Sequence, residues 1–104
     1  MKIYRQGDVL LKRIQSIPAT AGRKAIDGPI VLAYGEVTGH KHQIAENLEN
    51  VDVFVKESGE MYLRVKGDAL LTHEEHGTIV LPKGNYERVI QREYSPEAIR
   101  NVAD

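Results

Sequence analysis

The chain has 104 residues, a length that suits one domain (residues 1–104) with its own hydrophobic core. It has no cysteine, which excludes disulfides and thiolate ligands, so a metal would need histidine, carboxylate, backbone or water. The 14 Lys and Arg against 15 Asp and Glu give a net charge of −1, with no global field to attract nucleic acid. We find neither a signal-peptide core nor an apolar run of membrane-spanning length, and we expect a soluble cytoplasmic protein without membrane contact.

Short apolar runs separated by Gly, Pro, Asn and Asp predict β-strands along most of the chain. The first half gives a strand at 3–14, a loop at 18–28, a strand at 30–44 and a turn at 45–50. The second half gives strands at 51–55, 61–66, 78–81 and 86–94, and an apolar run at 69–71. The last strand has the mixed pattern of an edge strand or subunit contact. Ser95 and Pro96 then open a short helix that runs to about Val102. We therefore expect an all-β, small single-domain barrel or sandwich with a short C-terminal helix.

All four histidines fall in two tight pairs, His40 with His42 and His73 with His76. Side chains alternate along a strand, so His40 and His42 point to the same face. The second pair, three positions apart, converges only in a turn or helical segment. Together the pairs could supply three or four imidazoles to one divalent ion such as Zn, Ni, Fe or Mn. The alternative is that the four side chains are polar loop residues without a common site.

Two stretches resemble the motifs of the cupin superfamily: Gly-Glu-Val-Thr-Gly-His-Lys-His-Gln-Ile-Ala-Glu at 35–46 and Gly-Thr-Ile-Val-Leu-Pro-Lys-Gly-Asn-Tyr-Glu at 77–87. The resemblance implies a small β-barrel with a metal held by His40, His42 and Glu46. Each motif has a spacer one residue shorter than the family pattern, and Glu87 stands where the family has histidine. The fourth ligand would then come from one of three residues: His73, His76 or Glu87.

Over most of its length the chain also resembles short proteins of bacterial and phage genomes. The shared stretches are Gln-Gly-Asp-Val near the start, Gly-Glu-Val-Thr-Gly-His-X-His, His-Glu-Glu-His, and Gln-Arg-Glu-Tyr near the end. This resemblance implies no particular activity, so the function has to be inferred from the residues themselves.

The sequence His-Glu-Glu-His at 73–76 invites comparison with the His-Glu-X-X-His helix of zinc proteases. Its second histidine comes at i+3 instead of i+4. Gly77 and the strand predicted after it are incompatible with the helix of that motif, so we exclude a protease. The candidate catalytic residues are Glu36, Glu74 and Glu75, each as a base beside a metal-bound water. Glu74 or Glu75 could instead ligate the metal or orient an imidazole. The leading hypothesis is a metal-binding protein which, if it is an enzyme, acts on a small polar substrate.

Two other hypotheses stay open. Without a metal, paired imidazoles could serve as acid and base in RNA cleavage, with Lys41, Arg64 or Lys66 near the phosphate. Alternatively, the chain is a non-catalytic interaction module or a phage-related structural module, whose contact surface is the strand at 86–94. The same strand could join the subunits of a homo-oligomer. Basic residues interleaved with tyrosines are the one feature that could bind nucleic acid: Arg64, Lys66, Arg88, Arg92, Tyr62, Tyr86 and Tyr94.

Overall fold

The computed structural model describes residues 2–34 and 39–91. Within them the chain forms ten strands and a 3₁₀ turn at Leu48–Asn50. The strands are β1 (Ile3–Gln6), β2 (Val9–Ile14), β3 (Gly22–Lys24), β4 (Ile30–Tyr34), β5 (Lys41–Ile44), β6 (Val51–Val55), β7 (Met61–Val65), β8 (Ala69–Leu71), β9 (Ile79–Leu81) and β10 (Gly84–Ile90). Residues 2–34 and 39–91 contain no helix that is long and apolar enough to cross a membrane.

Six strands form one antiparallel sheet in the order β1-β2-β10-β7-β6-β3. The other four form two small antiparallel sheets, β4 with β5 and β8 with β9. A β-bridge between Gln43 and Thr72 joins the small sheets, so β5 lies beside the residues that follow β8. The all-β prediction is confirmed, but across residues 2–34 and 39–91 the strands do not close into one barrel. The predicted C-terminal helix lies outside the described residues.

One hydrophobic core is shared by the three sheets. The six-stranded sheet contributes Leu11, Leu63 and Val65, and the small sheets contribute Leu32 and Leu71, each at most 1% exposed. Burying a side chain of this kind contributes about 1.5–3 kcal/mol relative to leaving it in water. The core therefore fixes β5 and β8 against the large sheet, and with them the segments that carry the histidines.

The two long strands predicted at 3–14 and 30–44 are each a pair of antiparallel strands. The first breaks at Gly7 and Asp8, where the φ angle of Gly7 is 60°, in the left-handed region that favours glycine. The second consists of β4 and β5, and the predicted loop at 18–28 contains the short strand β3. Both strands of a hairpin bury the same face of the sheet, so the apolar pattern continues across the turn and hides it.

The last strand differs from its prediction. β10 lies inside the large sheet, between β2 and β7, so the edge-strand prediction is wrong. Tyr86 is fully buried and Tyr62 is 4% exposed, so neither ring presents a face for stacking on a base. Arg64 and Lys66 are half exposed and lie 4.0 and 3.4 Å from the buried carboxylate of Asp52. A subunit contact through the segment at 86–94 stays a prediction, since part of that segment lies outside the described residues.

Candidate functional site

The four histidine rings meet in one place, which we call the histidine cluster (His40, His42, His73 and His76). The ring of His73 lies at its centre, with its centroid 5.6 Å from that of His40 and 4.3 Å from that of His42. The centroids of His73 and His76 are 4.7 Å apart. The rings of His42 and His76 are stacked at 5.9 Å, with 17° between their planes. The two sequence pairs therefore belong to one site.

Local backbone structure explains why the pairs meet. His42 is a buried residue of β5, and His40 is the last residue before that strand. Beside β5, Thr72 and Gln43 exchange two backbone hydrogen bonds of 2.9 and 3.0 Å. Because of this bridge, the next residue, His73, lies on the face of β5 that carries His42. Because His40 and His42 have the same strand parity, both of their rings contact His73.

A buried glutamine holds His42 in one tautomer. The side-chain amide of Gln6 donates to the carbonyl oxygens of Leu71 and Gly77, at 2.9 and 3.0 Å. These two acceptors identify the amide nitrogen of Gln6, so its Oε1 is the atom 2.8 Å from Nδ1 of His42. Since Oε1 only accepts, Nδ1 of His42 carries the hydrogen. In the neutral ring the lone pair is therefore on Nε2.

The turn between β1 and β2 forms the inner wall of the cluster. A Cβ atom on Gly7 would lie 2.7 Å from Nε2 of His76 and 3.3 Å from Cε1 of His42, so glycine allows this close approach. The next residue, Asp8, places its Oδ1 3.7 Å from Nε2 of His42. Sequence reasoning assigned no role in the site to Gln6, Gly7 or Asp8. The available signal was a glycine between two polar residues inside an apolar strand pattern, which marks a turn.

Glu74 and Glu75 lie at the exposed rim of the cluster. Oε1 of Glu74 accepts a hydrogen bond of 2.8 Å from the backbone N–H of Lys41. This bond lowers the pKa of Glu74, and a hydrogen bond from its own backbone N–H and then smaller effects of His40 and His73 act in the same direction, so the carboxylate is ionised near neutral pH. Oε1 of Glu75 is 3.8 Å from Nδ1 of His40. The rim thus places anionic oxygens directly beside two imidazoles.

Three residues have the spacing to hold one metal ion, and we call them the rim trio (His40, His73 and Glu74). One ligand atom from each lies within 4.8 Å of the other two. Imidazole nitrogen and carboxylate oxygen bind zinc at about 2.0–2.2 Å, so these three residues could hold one ion. The histidines of the trio are half-buried and Glu74 is exposed, which leaves one side of the trio open to solvent.

Other predicted ligands lie elsewhere. Glu46, which the cupin resemblance places with His40 and His42, is exposed on the bend after β5. Among residues 2–34 and 39–91, the group with metal-ligand spacing does not include it. Glu87 lies in β10 within the large sheet. Glu36 is outside the described residues. The ligand set implied by the cupin resemblance is therefore not the set that the described residues bring together.

These features define an all-β domain with a histidine cluster where its two small sheets meet. Over residues 5–91 the chain matches a family model described as a domain of unknown function (DUF8820), and it belongs to that family. The matched stretch includes all four histidines and the Gln-Gly-Asp turn, and the match supports no cupin assignment. Searches of curated proteins and of solved structures found no match.

Replacing Gln6 with methionine removes two buried hydrogen bonds and one part-buried one while nearly preserving side-chain length. The Nδ1 hydrogen of His42 and the carbonyls of Leu71 and Gly77 lose a partner, and each of the two buried groups, at His42 and Leu71, costs about 1–3 kcal/mol. We expect the free energy of unfolding in urea to fall by about 2 kcal/mol or more. The same substitution at the exposed Gln91 should change it by less than about 0.5 kcal/mol. Equal losses of stability at the two positions would show that the hydrogen bonds of the Gln6 side chain do not stabilise the fold.

The stability of the metal-free protein should rise with pH. Burial lowers the pKa of His42 below its ordinary value of 6.5, and the neighbouring His73 and His76 add to the effect. Asp8 and Glu74 oppose it. The unfolded chain then binds more protons than the native state, so the free energy of unfolding falls as the pH falls below about 6.5. Urea unfolding in chelator should show this rise from about pH 5 to about pH 7.5, and NMR should show the His42 ring titrating below 6.5. If the midpoint pH of the His42 titration were above that of a histidine in the unfolded chain, it would contradict this expectation.

Proposed function

We propose that this protein binds a divalent transition-metal ion at the rim trio. The proposal rests on one observation: a ligand atom of His40, one of His73 and one of Glu74 all lie within 4.8 Å of one another. Two imidazoles and a carboxylate are the protein ligands of some catalytic zinc sites and of non-haem Fe(II) sites. With no cysteine in the chain, Zn, Ni, Fe and Mn fit the ligand set better than thiolate-seeking ions.

The open side of the trio favours a catalytic ion over a structural one. Structural zinc sites fill four positions with protein ligands, whereas catalytic sites keep a position for water or substrate. Here Glu74 is exposed and the histidines are half-buried, so water or a small polar substrate has room to bind. Glu75, 3.8 Å from Nδ1 of His40, would orient that imidazole or accept a proton from bound water.

His73 has to change its hydrogen bonds in order to bind a metal. Its Nδ1 accepts from the backbone N–H groups of Glu75 and His76, at 3.0 and 3.4 Å. A neutral imidazole has one lone pair, so its hydrogen is then on Nε2. Ligation through Nδ1 displaces both N–H donors. Ligation through Nε2 moves the hydrogen to Nδ1, where it points at the backbone N–H groups of Glu75 and His76, which then have no acceptor there. Either way, two backbone N–H groups are released.

Zinc binding should therefore move the backbone amide resonances of Glu75 and His76 more than most others. The amides of Ser58 and Gly59, in an exposed turn of the large sheet, serve as the internal reference. Proton–nitrogen correlation NMR during a zinc titration measures both sets in one experiment. If zinc binds but the amide resonances of Glu75 and His76 shift no more than those of Ser58 and Gly59, His73 is not a ligand.

Metal content tests the rim trio directly. Protein purified without a His tag is loaded with zinc, dialysed and measured by elemental mass spectrometry and by zinc titration. His40→Ala and Glu74→Gln should each weaken zinc binding at the rim by more than about 10-fold, since loss of a ligand exceeds the 10–100-fold effect of outer-shell changes. Glu46→Gln is the matched control, because it makes the same change at an exposed glutamate outside the trio.

The control also separates the alternatives. Loss of zinc in Glu46→Gln, with retention in Glu74→Gln, would overturn the rim trio in favour of the ligand set of the cupin resemblance. Failure to bind Zn, Ni, Fe or Mn at any position would overturn the proposal and favour an interaction module.

A further inference from the structure

We propose that the protein also binds the phosphate group of a small phosphorylated molecule, in a groove beside β3 that we call the basic groove. Residues of β3, β6 and the 3₁₀ turn line it, and its volume is about 500 Å³. Arg23, Lys24 and Lys66 supply its positive charges, and Asp52 and Glu49 supply its negative charges. The basic groove shares no residue with the histidine cluster, so it does not require a metal ion. The expected ligand is a phosphate monoester that also carries an aromatic ring, such as a nucleoside monophosphate.

Positive charge exceeds negative charge around the buried carboxylate of Asp52, in β6. Nη2 of Arg23 lies 2.8 Å from its Oδ1, and Nζ of Lys66 lies 3.4 Å from the same atom. Nη1 of Arg64 lies 4.0 Å from its Oδ2. One carboxylate neutralises one of these three cations, which leaves a surplus of two positive charges in a chain whose net charge is −1. Such a local surplus attracts an anion.

Asp52 also holds two of these cations side by side. Because Nη2 of Arg23 and Nζ of Lys66 contact the same oxygen atom, they lie no more than about 6 Å apart, a span that one phosphate can bridge with two charge-assisted hydrogen bonds. Within residues 2–34 and 39–91, the side-chain hydrogen bonds of both residues go to Asp52 alone. Guanidinium and ammonium groups carry further N–H donors, and these side chains are 68% and 48% exposed. A phosphate can therefore reach donors of both residues.

The size and the apolar residues of the basic groove favour a small molecule over a nucleic-acid strand. Its volume falls in the range of small-molecule sites, about 300–1,000 Å³. Ile26 and Leu48 line it as well, which gives a ring an apolar surface beside the cations. A nucleic-acid strand needs cations that follow several successive phosphates. Here the surplus lies around one carboxylate, and the charges of Lys24 and Glu49 cancel one another.

Isothermal titration calorimetry with adenosine monophosphate tests the basic groove on the intact chain. The protein is first treated with chelator and dialysed, so that no metal ion at the rim trio can hold the phosphate. Arg23→Gln and Lys66→Gln should each weaken binding by about 10-fold or more, because each removes a cationic donor to the phosphate. Lys83→Gln is the matched control, since it makes the same change at an exposed lysine outside the groove, and it should alter binding by less than about 2-fold.

Two further ligands separate the contributions of the phosphate and the ring. Adenosine, which lacks the phosphate, should bind about 10-fold more weakly than adenosine monophosphate or not at all. Inorganic phosphate, which lacks the ring, should also bind more weakly. Urea unfolding shows whether each variant is folded. If a variant is not, proton–nitrogen correlation NMR of the unchanged protein replaces it: adenosine monophosphate should shift the amide resonances of Ala25 and Lys66 more than those of Ser58 and Gly59.

Several results would overturn the basic groove as a phosphate site. These are no binding of adenosine monophosphate, equal binding of adenosine, or binding that Arg23→Gln and Lys66→Gln leave unchanged. Binding of inorganic phosphate as tight as that of adenosine monophosphate would overturn the role of the apolar residues. If a single-stranded oligonucleotide bound more tightly than adenosine monophosphate and lost its affinity in the same two variants, the small-molecule class would be wrong and the partner would be nucleic acid.

Discussion

The side-chain amide of Gln6 is the constraint on which the rest of the site depends. It joins β1 to β5 by accepting from His42, and it reaches the loop of the second histidine pair through the carbonyls of Leu71 and Gly77. A buried amide with three such partners has one orientation, because turning it would set its oxygen against two carbonyl oxygens. The tautomer of His42 follows from this orientation, and the amide acts together with the Gln43–Thr72 bridge in holding the loop beside β5.

The cluster is rich in lone pairs and bordered by carboxylates. Burial, and next the neighbouring His73, lower the pKa of His42, so protonation of the innermost ring is disfavoured. Asp8 borders the inner side, and Glu74 and Glu75 border the rim. A divalent cation satisfies an imidazole lone pair and a carboxylate at the same time. Protonating several rings would instead place like charges within a few ångströms of one another.

Local sequence patterns predicted the histidine pairs and the all-β class, because both depend on short-range geometry. The shared face of His40 and His42 follows from strand alternation, and the convergence of the second pair follows from a turn. Gln6 could not be predicted in the same way, because its partners are 36, 65 and 71 positions away and no periodicity links them. The Gly7 turn was hidden because the apolar pattern of β1 continues into β2. Glu46 was placed in the site by a motif spacing, whereas the chain turns outward after β5 and leaves it exposed.

The long sequence separations within the cluster connect it to folding. Its walls come from the first hairpin, from β5 and from the loop after β8, so the cluster exists only when all three are assembled. An ion bound there has no comparable site in the unfolded chain, and its binding energy adds to the stability of the native state. At a free ion concentration 100 times the dissociation constant, one site adds about 2.7 kcal/mol. The free energy of unfolding would then follow the supply of metal, so a chain without its ion would open more often and be degraded faster.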